Sequence, residues 1–190
     1  MFVIAGLGNP GDRYKQTRHN VGFMVIDRLN ERFSGSFKKG KGAYFESKIT
    51  INTHPVLLIK PITYMNLSGQ AIQQVIGFYK IEDISGLLIV VDDFHIPFGT
   101  IRLKPSGSAA GQKGLKSILQ ILKTDQIARL RIGIGNQFSE AVSHVLNPFN
   151  QNEQKHLPEV INWATDAAES FVTNGIEKTM NDFNRHILDS

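Results

Sequence analysis

The sequence predicts an α/β fold: a single domain over residues 1–190, built on a mixed, twisted sheet flanked by helices. Three observations predict it. Strand-like runs alternate with amphipathic helical stretches along the chain, the order that lays helices against a sheet. Leu87-Leu88-Ile89-Val90-Val91 is apolar at every position between Gly86 and Asp92, the pattern of a central strand buried on both faces. A chain of 190 residues with 41% hydrophobic and 20% charged side chains can also fill one core.

The elements follow in order. Phe2-Val3-Ile4-Ala5 starts a strand expected over 2–7, and a helix near 20–33 is expected because Val21, Met24, Val25, Ile26 and Leu29 recur at helical spacing. Strands are expected around 43–51 and 55–60, then a helix at about 67–79 carrying Ala71, Ile72, Val75, Ile76 and Tyr79 on one stripe. After the apolar strand come a strand near 100–104, a helix near 112–123 and a glycine-spaced strand over 130–135. The remainder predicts helices near 139–146, 152–173 and 175–186. The segment from Ser34 to Gly42, rich in Gly, Ser and Lys, predicts a mobile solvated loop, with phosphate contact as the alternative.

Composition narrows the function classes. There are no cysteines, which excludes disulfides, thiolate zinc sites and cysteine nucleophiles. No apolar run reaches the ~18 residues of a membrane span. Met1-Phe2-Val3-Ile4 lacks the basic region of a secretion signal, so a cytoplasmic protein is expected. The net charge of +4 is unevenly spread: ten basic against four acidic residues over 1–60, eight against five over 61–133, and three against eight over 134–190. A basic surface of that kind suits a polyanion such as RNA, although background composition alone also yields a basic chain.

One motif misleads. Gly6-x-Gly8-x-x-Gly11 after a strand matches a dinucleotide fingerprint, but that motif opens directly into a helix whose N-terminus holds the pyrophosphate. Here Pro10 interrupts the glycines, the segment 12–18 has no apolar stripe, and Asp27 falls inside a predicted helix rather than closing a second strand. A nucleotide-dependent oxidoreductase is therefore the weaker alternative.

The polar residues at the strand ends suit hydrolysis better. Open α/β sheets carry their sites beyond the carboxyl ends of their strands. Asn9 follows the first strand, with His19 in the segment beyond it. Tyr64-Met65-Asn66 follows the strand ending near Lys60, and Asp92-Asp93 closes the apolar strand. An imidazole can serve as a base near neutral pH, a carboxylate on its other nitrogen fixes its tautomer, and amide donors stabilise an oxyanion. Gly-x-Ser-x-Gly is absent, so water is the simpler nucleophile. Each residue also has a plainer role open to it: His19 as a surface or capping residue, Asn66 as a helix cap, and Asp92-Asp93 with His95 as a solvated strand end or a weak metal cluster.

At these positions the chain resembles the bacterial-type peptidyl-tRNA hydrolase family. The resemblance rests on Gly6-Leu7-Gly8-Asn9-Pro10-Gly11, Tyr14, Thr17-Arg18-His19-Asn20-Val21-Gly22, Lys60-Pro61, Thr63 to Gly69 and Asp92-Asp93. It continues through Pro97, Gly99, Arg102-Leu103-Lys104, Gly114 to Ile118 and Arg129 to Gly135, and so runs from about 2 to 185. It implies cleavage of the ester joining a peptide to the 3′ ribose of tRNA, by a monomeric enzyme without metal or cofactor. It further implies His19 as general base, Asp92 as its orienting partner, and Asn9 and Asn66 as groups that position the carbonyl and stabilise the oxyanion. By the same resemblance Tyr14 and Met65 line the peptide groove, and Lys104 and Arg131 clamp the tRNA 5′ phosphate. Two positions depart from the pattern. Gln112-Lys113 stands where the family usually has His-Asn, and His95 where relatives commonly carry an acid. Lys113 cannot accept a hydrogen bond but can meet phosphate or an oxyanion as a point charge. The altered loop keeps open a second possibility, a non-catalytic RNA-binding relative.

Overall fold

A computed structural model describes residues 1–188; the last two positions of the expected 1–190 domain lie outside the described residues. In chain order the elements are β1 (Phe2–Gly6), α1 (Val21–Arg32), β2 (Lys38–Lys39), β3 (Tyr44–Ile51), β4 (His54–Pro61), α2 (Ser68–Tyr79) and β5 (Leu87–Asp93). They continue with β6 (Ile101–Lys104), α3 (Lys113–Leu122), β7 (Ala128–Gly133), α4 (Ala141–Leu146), α5 (Gln151–Asn174) and α6 (Ile176–Phe183). The strands form one sheet in the order β2-β3-β4-β1-β5-β7-β6. β1 lies parallel to both β4 and β5, β5 is parallel to β7, and the outer pairings β2-β3, β3-β4 and β6-β7 are antiparallel. The sheet is therefore mixed, as the alternation of elements predicts.

Successive residues of the central strands feed opposite layers, because strand side chains alternate between faces. Ile4, Leu58, Leu88, Val90 and Leu130 pack with Val25, Ile26 and Leu29 of α1 and with Val160, Ala164 and Phe171 of α5. Val3, Ala5, Leu57, Ile59, Ile89 and Val91 pack with Ile72 and Val75 of α2 and Leu115 and Ile118 of α3. Burial on both faces accounts for the unbroken apolar run at 87–91. Each fully buried Leu or Ile contributes about 1.5–3 kcal/mol relative to exposure.

The start of α1 lies directly on the end of β1, and glycine permits it. A Cβ on Gly22 would stand 2.5 Å from Val90 O and 2.6 Å from Leu7 O, so any side chain there would lift the turn that precedes the helix off the sheet. That turn carries His19. Gly11, at φ 102°, reverses the chain just after Asn9 in a conformation that other residues rarely adopt. No helix opens at the glycine motif; a 3-10 turn over Asp12–Tyr14 follows instead, so the arrangement is not that of a dinucleotide site.

The structure corrects three boundaries. The segment 34–42 is not wholly loop: β2 pairs with β3 through Lys38↔Glu46 and Lys39↔Phe45. Two exposed lysines carry no apolar pattern, so this short edge strand left no periodic signal. The last strand begins at Ala128 and ends at Gly133, rather than spanning 130–135. The last helix ends at Phe183, short of 186, because Asn184 turns its side chain to β6: Oδ1 accepts from Leu103 N–H (2.6 Å) and Nδ2 donates to Leu103 O (3.0 Å). An amide thus pairs with the free edge of the sheet where another strand could add.

Candidate active site

The carboxyl ends of the adjacent parallel strands β4, β1 and β5 open together on one edge of the sheet. Met65 and Asn66 lie past β4, Asn9 lies past β1, and Asp92 sits in the last residues of β5. His19 arrives on a 3-10 turn, Arg18–Asn20, that runs straight into α1.

Side-chain bonds join these segments into a circuit. His19 Nδ1 lies 2.8 Å from Asp92 Oδ2. A carboxylate only accepts, so Nδ1 carries the proton, and in the neutral imidazole Nε2 is then the nitrogen with the lone pair. Asp92 Oδ1 accepts from Gln112 Nε2 at 2.9 Å, and the same nitrogen lies 3.2 Å from Met65 Sδ. Met65 N–H donates to Asn9 Oδ1 (2.8 Å). Asn9 N–H donates to Asn20 Oδ1 (2.8 Å), and Asn20 Nδ2 returns a bond to Asn9 O (2.9 Å). Asn20 follows His19 in the chain, so the circuit closes. All of these residues are buried, with His19 at 7% exposure and Asp92 at 1%.

Above this floor is a cavity of about 420 Å³, lined by Asn9, Tyr14, His19, Met65, Asn66, Asp92, Gln112 and Lys113. Asn9 Oδ1 is occupied by Met65 N–H, which leaves Nδ2 as the donor this amide can offer a ligand. Asn66 is exposed, its side chain makes no hydrogen bond among the described residues, and it caps nothing, since α2 begins at Ser68 without a side-chain cap. The remaining walls are apolar. Tyr64 and Phe94 contribute rings, and α4 contributes Ala141, Val142, Val145 and Leu146. Among the described residues no group of His, Asp and Glu has the arrangement of a metal site, so the Asp92-Asp93-His95 alternative fails. Asp93 Oδ1 instead accepts from His95 N–H at 2.8 Å.

Lys104 and Arg131 do not line the cavity; they share one face of the outer β6–β7 pair. The antiparallel register sets Arg102 opposite Arg131 and Lys104 opposite Arg129, which gathers four cations on that face. Arg102 and Lys104 are exposed. Arg131 is held by a charge contact between its Nη2 and the buried Asp93 Oδ2. Arg129 is buried and donates to the carbonyls of Ile127 (2.7 Å), Gly107 (2.6 Å), Ser108 (3.2 Å) and Asp125 (3.1 Å). Burial, with the nearby Arg131, pulls its guanidinium below the usual arginine range.

Residues 3–189 match the model of the family described as peptidyl-tRNA hydrolase. The chain belongs to the peptidyl-tRNA hydrolase family. A peptidyl-tRNA hydrolase of Prosthecochloris aestuarii is 48% identical over 186 residues, covering 97% of this chain and 96% of the relative. One from Chlorobium limicola is 45% identical over 188 residues, covering 97% and 98%. Among solved structures, a peptidyl-tRNA hydrolase in complex with N-propanol superposes with a TM-score of 0.93 at 34% identity, covering 100% of this chain and 97% of the other. The Acinetobacter baumannii peptidyl-tRNA hydrolase superposes with a TM-score of 0.91 at 35% identity, covering 98% and 95%.

Of the residues expected at the site, His19, Asp92, Asn9, Asn66, Tyr14, Met65 and Lys113 all line one cavity of this family member, while Lys104 and Arg131 lie apart on the basic face. Three positions carry parts that sequence reasoning did not assign. Asn20 fixes Asn9. Gln112 joins Asp92 to α3. Arg18 ties the His19 turn to the α4–α5 junction, donating to Pro148 O (2.8 Å) and to Glu153 Oε2 (2.7 Å). Asn20 and Arg18 flank His19 in the sequence, but their partners lie 11 to 135 residues away, so spacing carries no trace of the bonds.

Proposed function

We propose that the protein hydrolyses the ester between a peptide and the 3′ ribose of tRNA. The observation that carries the proposal is the His19–Asp92 pair at the floor of the cavity, in a chain that belongs to this family. Asp92 holds Nδ1–H, so Nε2 takes a proton from a water as its oxygen attacks the ester carbonyl carbon. Asn9 Nδ2 and Asn66 supply donors to the developing oxyanion, a stabilisation worth about 2.7–4 kcal/mol per donor in comparable sites. The tetrahedral species collapses, the C–O bond to the ribose breaks, and the 3′ oxygen recovers the proton from His19. The products are a peptide with a free carboxylate and a tRNA with a free 3′ hydroxyl. No step of this route calls on a metal or cofactor.

Tyr14 and Met65, with the apolar face of α4, receive the peptide, while Lys113 stands at the rim where the 3′ end enters. Lys104, and Arg131 once drawn from Asp93, contact phosphate on the acceptor stem. The proposed working form is a cytoplasmic monomer of one domain. No helix among the described residues is long and apolar enough to cross a membrane.

The test is release of the blocked amino acid from N-acetyl-aminoacyl-tRNA by purified protein, with and without EDTA. Rapid, EDTA-resistant release is expected. Tight tRNA binding without release would replace this proposal with a non-catalytic RNA-binding role.

A further inference from the structure

Gln112 is an odd choice for the work it visibly does. Its Oε1 accepts from Leu115 N–H at 2.7 Å and so caps the N-terminus of α3. Helix caps favour short side chains such as Ser, Thr, Asn and Asp, which reach the third backbone N–H from close by. A glutamine is longer than a cap requires. The extra length carries its other end to the dyad, where Nε2 donates to Asp92 Oδ1 at 2.9 Å. The orientation of the amide follows from its partners, since only the oxygen can accept from Leu115 N–H and only the nitrogen can donate to a carboxylate. With Oδ2 on His19 and Oδ1 on Gln112, the Asp92 carboxylate is held at both oxygens and cannot rotate about its own axis.

We propose that Gln112 is a positioning residue for the ester hydrolysis: it locks the plane of Asp92, and through Asp92 the direction of His19 Nε2. The proposal rests on the esterase reading above. The same amide anchors one end of the loop that Arg129 pins through the carbonyls of Gly107 and Ser108. The loop and the dyad are thereby one mechanical unit. A carboxylate left to swing would spread the imidazole over several orientations, and misplacement of a reacting group by about 1 Å can cost about 100-fold in rate.

Two variants separate positioning from capping, because both keep a cap. Gln112→Ser retains an acceptor for Leu115 N–H and removes the donor to Asp92. Gln112→Glu keeps an acceptor too, as Glu140 caps α4 in this same chain, but sets a carboxylate against Asp92. The expected result is a fall in kcat of about 10- to 100-fold for Gln112→Ser, a larger fall for Gln112→Glu, and an unchanged KM. A second readout needs no substrate: the low-field NMR signal of His19 Nδ1–H, assigned by its loss in His19→Ala, should move or broaden in both variants. Wild-type kcat together with an unmoved imidazole signal in both variants would overturn the proposal, leaving Gln112 as a cap alone. If the signal moves in the variants but the wild-type protein releases nothing from N-acetyl-aminoacyl-tRNA, the lock on the His19 ring stands, and the esterase reading falls together with the role in hydrolysis built on it.

Discussion

The floor of the cleft and the basic face of β6–β7 hold their side chains in opposite ways. At the floor, His19, Asp92, Gln112, Asn9 and Asn20 are buried, and each is held by another of the set or by a neighbouring backbone group. On the β6–β7 face the Lys104 side chain is exposed, and among the described residues it makes no hydrogen bond or ion pair while the Arg131 side chain pairs with Asp93. The difference follows from the interactions themselves. In the proposed reaction, proton transfer and oxyanion stabilisation need close, fixed geometry, so groups with those roles are best held before substrate arrives. Attraction between a cation and phosphate reaches to about 10 Å in 0.1 M salt, so a free lysine can serve without prior placement.

The largest effect that tests this contrast is at the floor. His19→Ala should lower kcat by at least about 100-fold while the thermal transition stays close to wild type, measured as release from N-acetyl-aminoacyl-tRNA. Near-normal turnover would sink the assignment of the base. Next comes Arg131→Ala, where the two regions touch. It leaves Asp93 buried without its cation, so stability should fall by about 3 kcal/mol in a denaturant titration, alongside any loss of tRNA affinity. An unchanged midpoint would mean that the Asp93 contact contributes nothing to the fold.

Lys104→Ala sharpens the comparison because no partner is lost. Its stability should stay within about 0.5 kcal/mol, while tRNA binding weakens and the slope of log affinity against log salt drops by about 0.7–0.9. Were the slope to hold, Lys104 would lie off the RNA path. The smallest effect is expected at the rim, where Lys113→Asn removes a single exposed charge. Affinity for tRNA should fall by about fivefold, on the order of 1 kcal/mol, with kcat within about threefold of wild type. A tenfold change in kcat would instead place the Lys113 ammonium at the oxyanion.

Much of the site was legible in the chain. Asn9, Asn66 and Asp92 stand at or just past the ends of predicted strands, which the topology of an open α/β sheet brings together, and His19 lies in the segment between the first strand and the first helix. The plainer role of Asn66 as a cap was equally open in the sequence and fails only because α2 starts two residues later. Arg131 and Lys104 could be placed on two predicted strands, but not told apart. Their difference depends on Asp93, which reaches Arg131 across a β5–β7 pairing that no local pattern announces.

By itself the sequence determined the alternation of strands and helices, the doubly buried strand at 87–91 and the chemical inventory of the cleft. Those features arise from periodicity and residue type, which act over a few neighbours. The tertiary structure decided which partners hold that inventory: Gln112 on Asp92, Asn20 on Asn9, and Asp93 on Arg131. Such bonds join residues distant in the chain and depend on directions set to fractions of an ångström, which only the packed sheet and its helices supply.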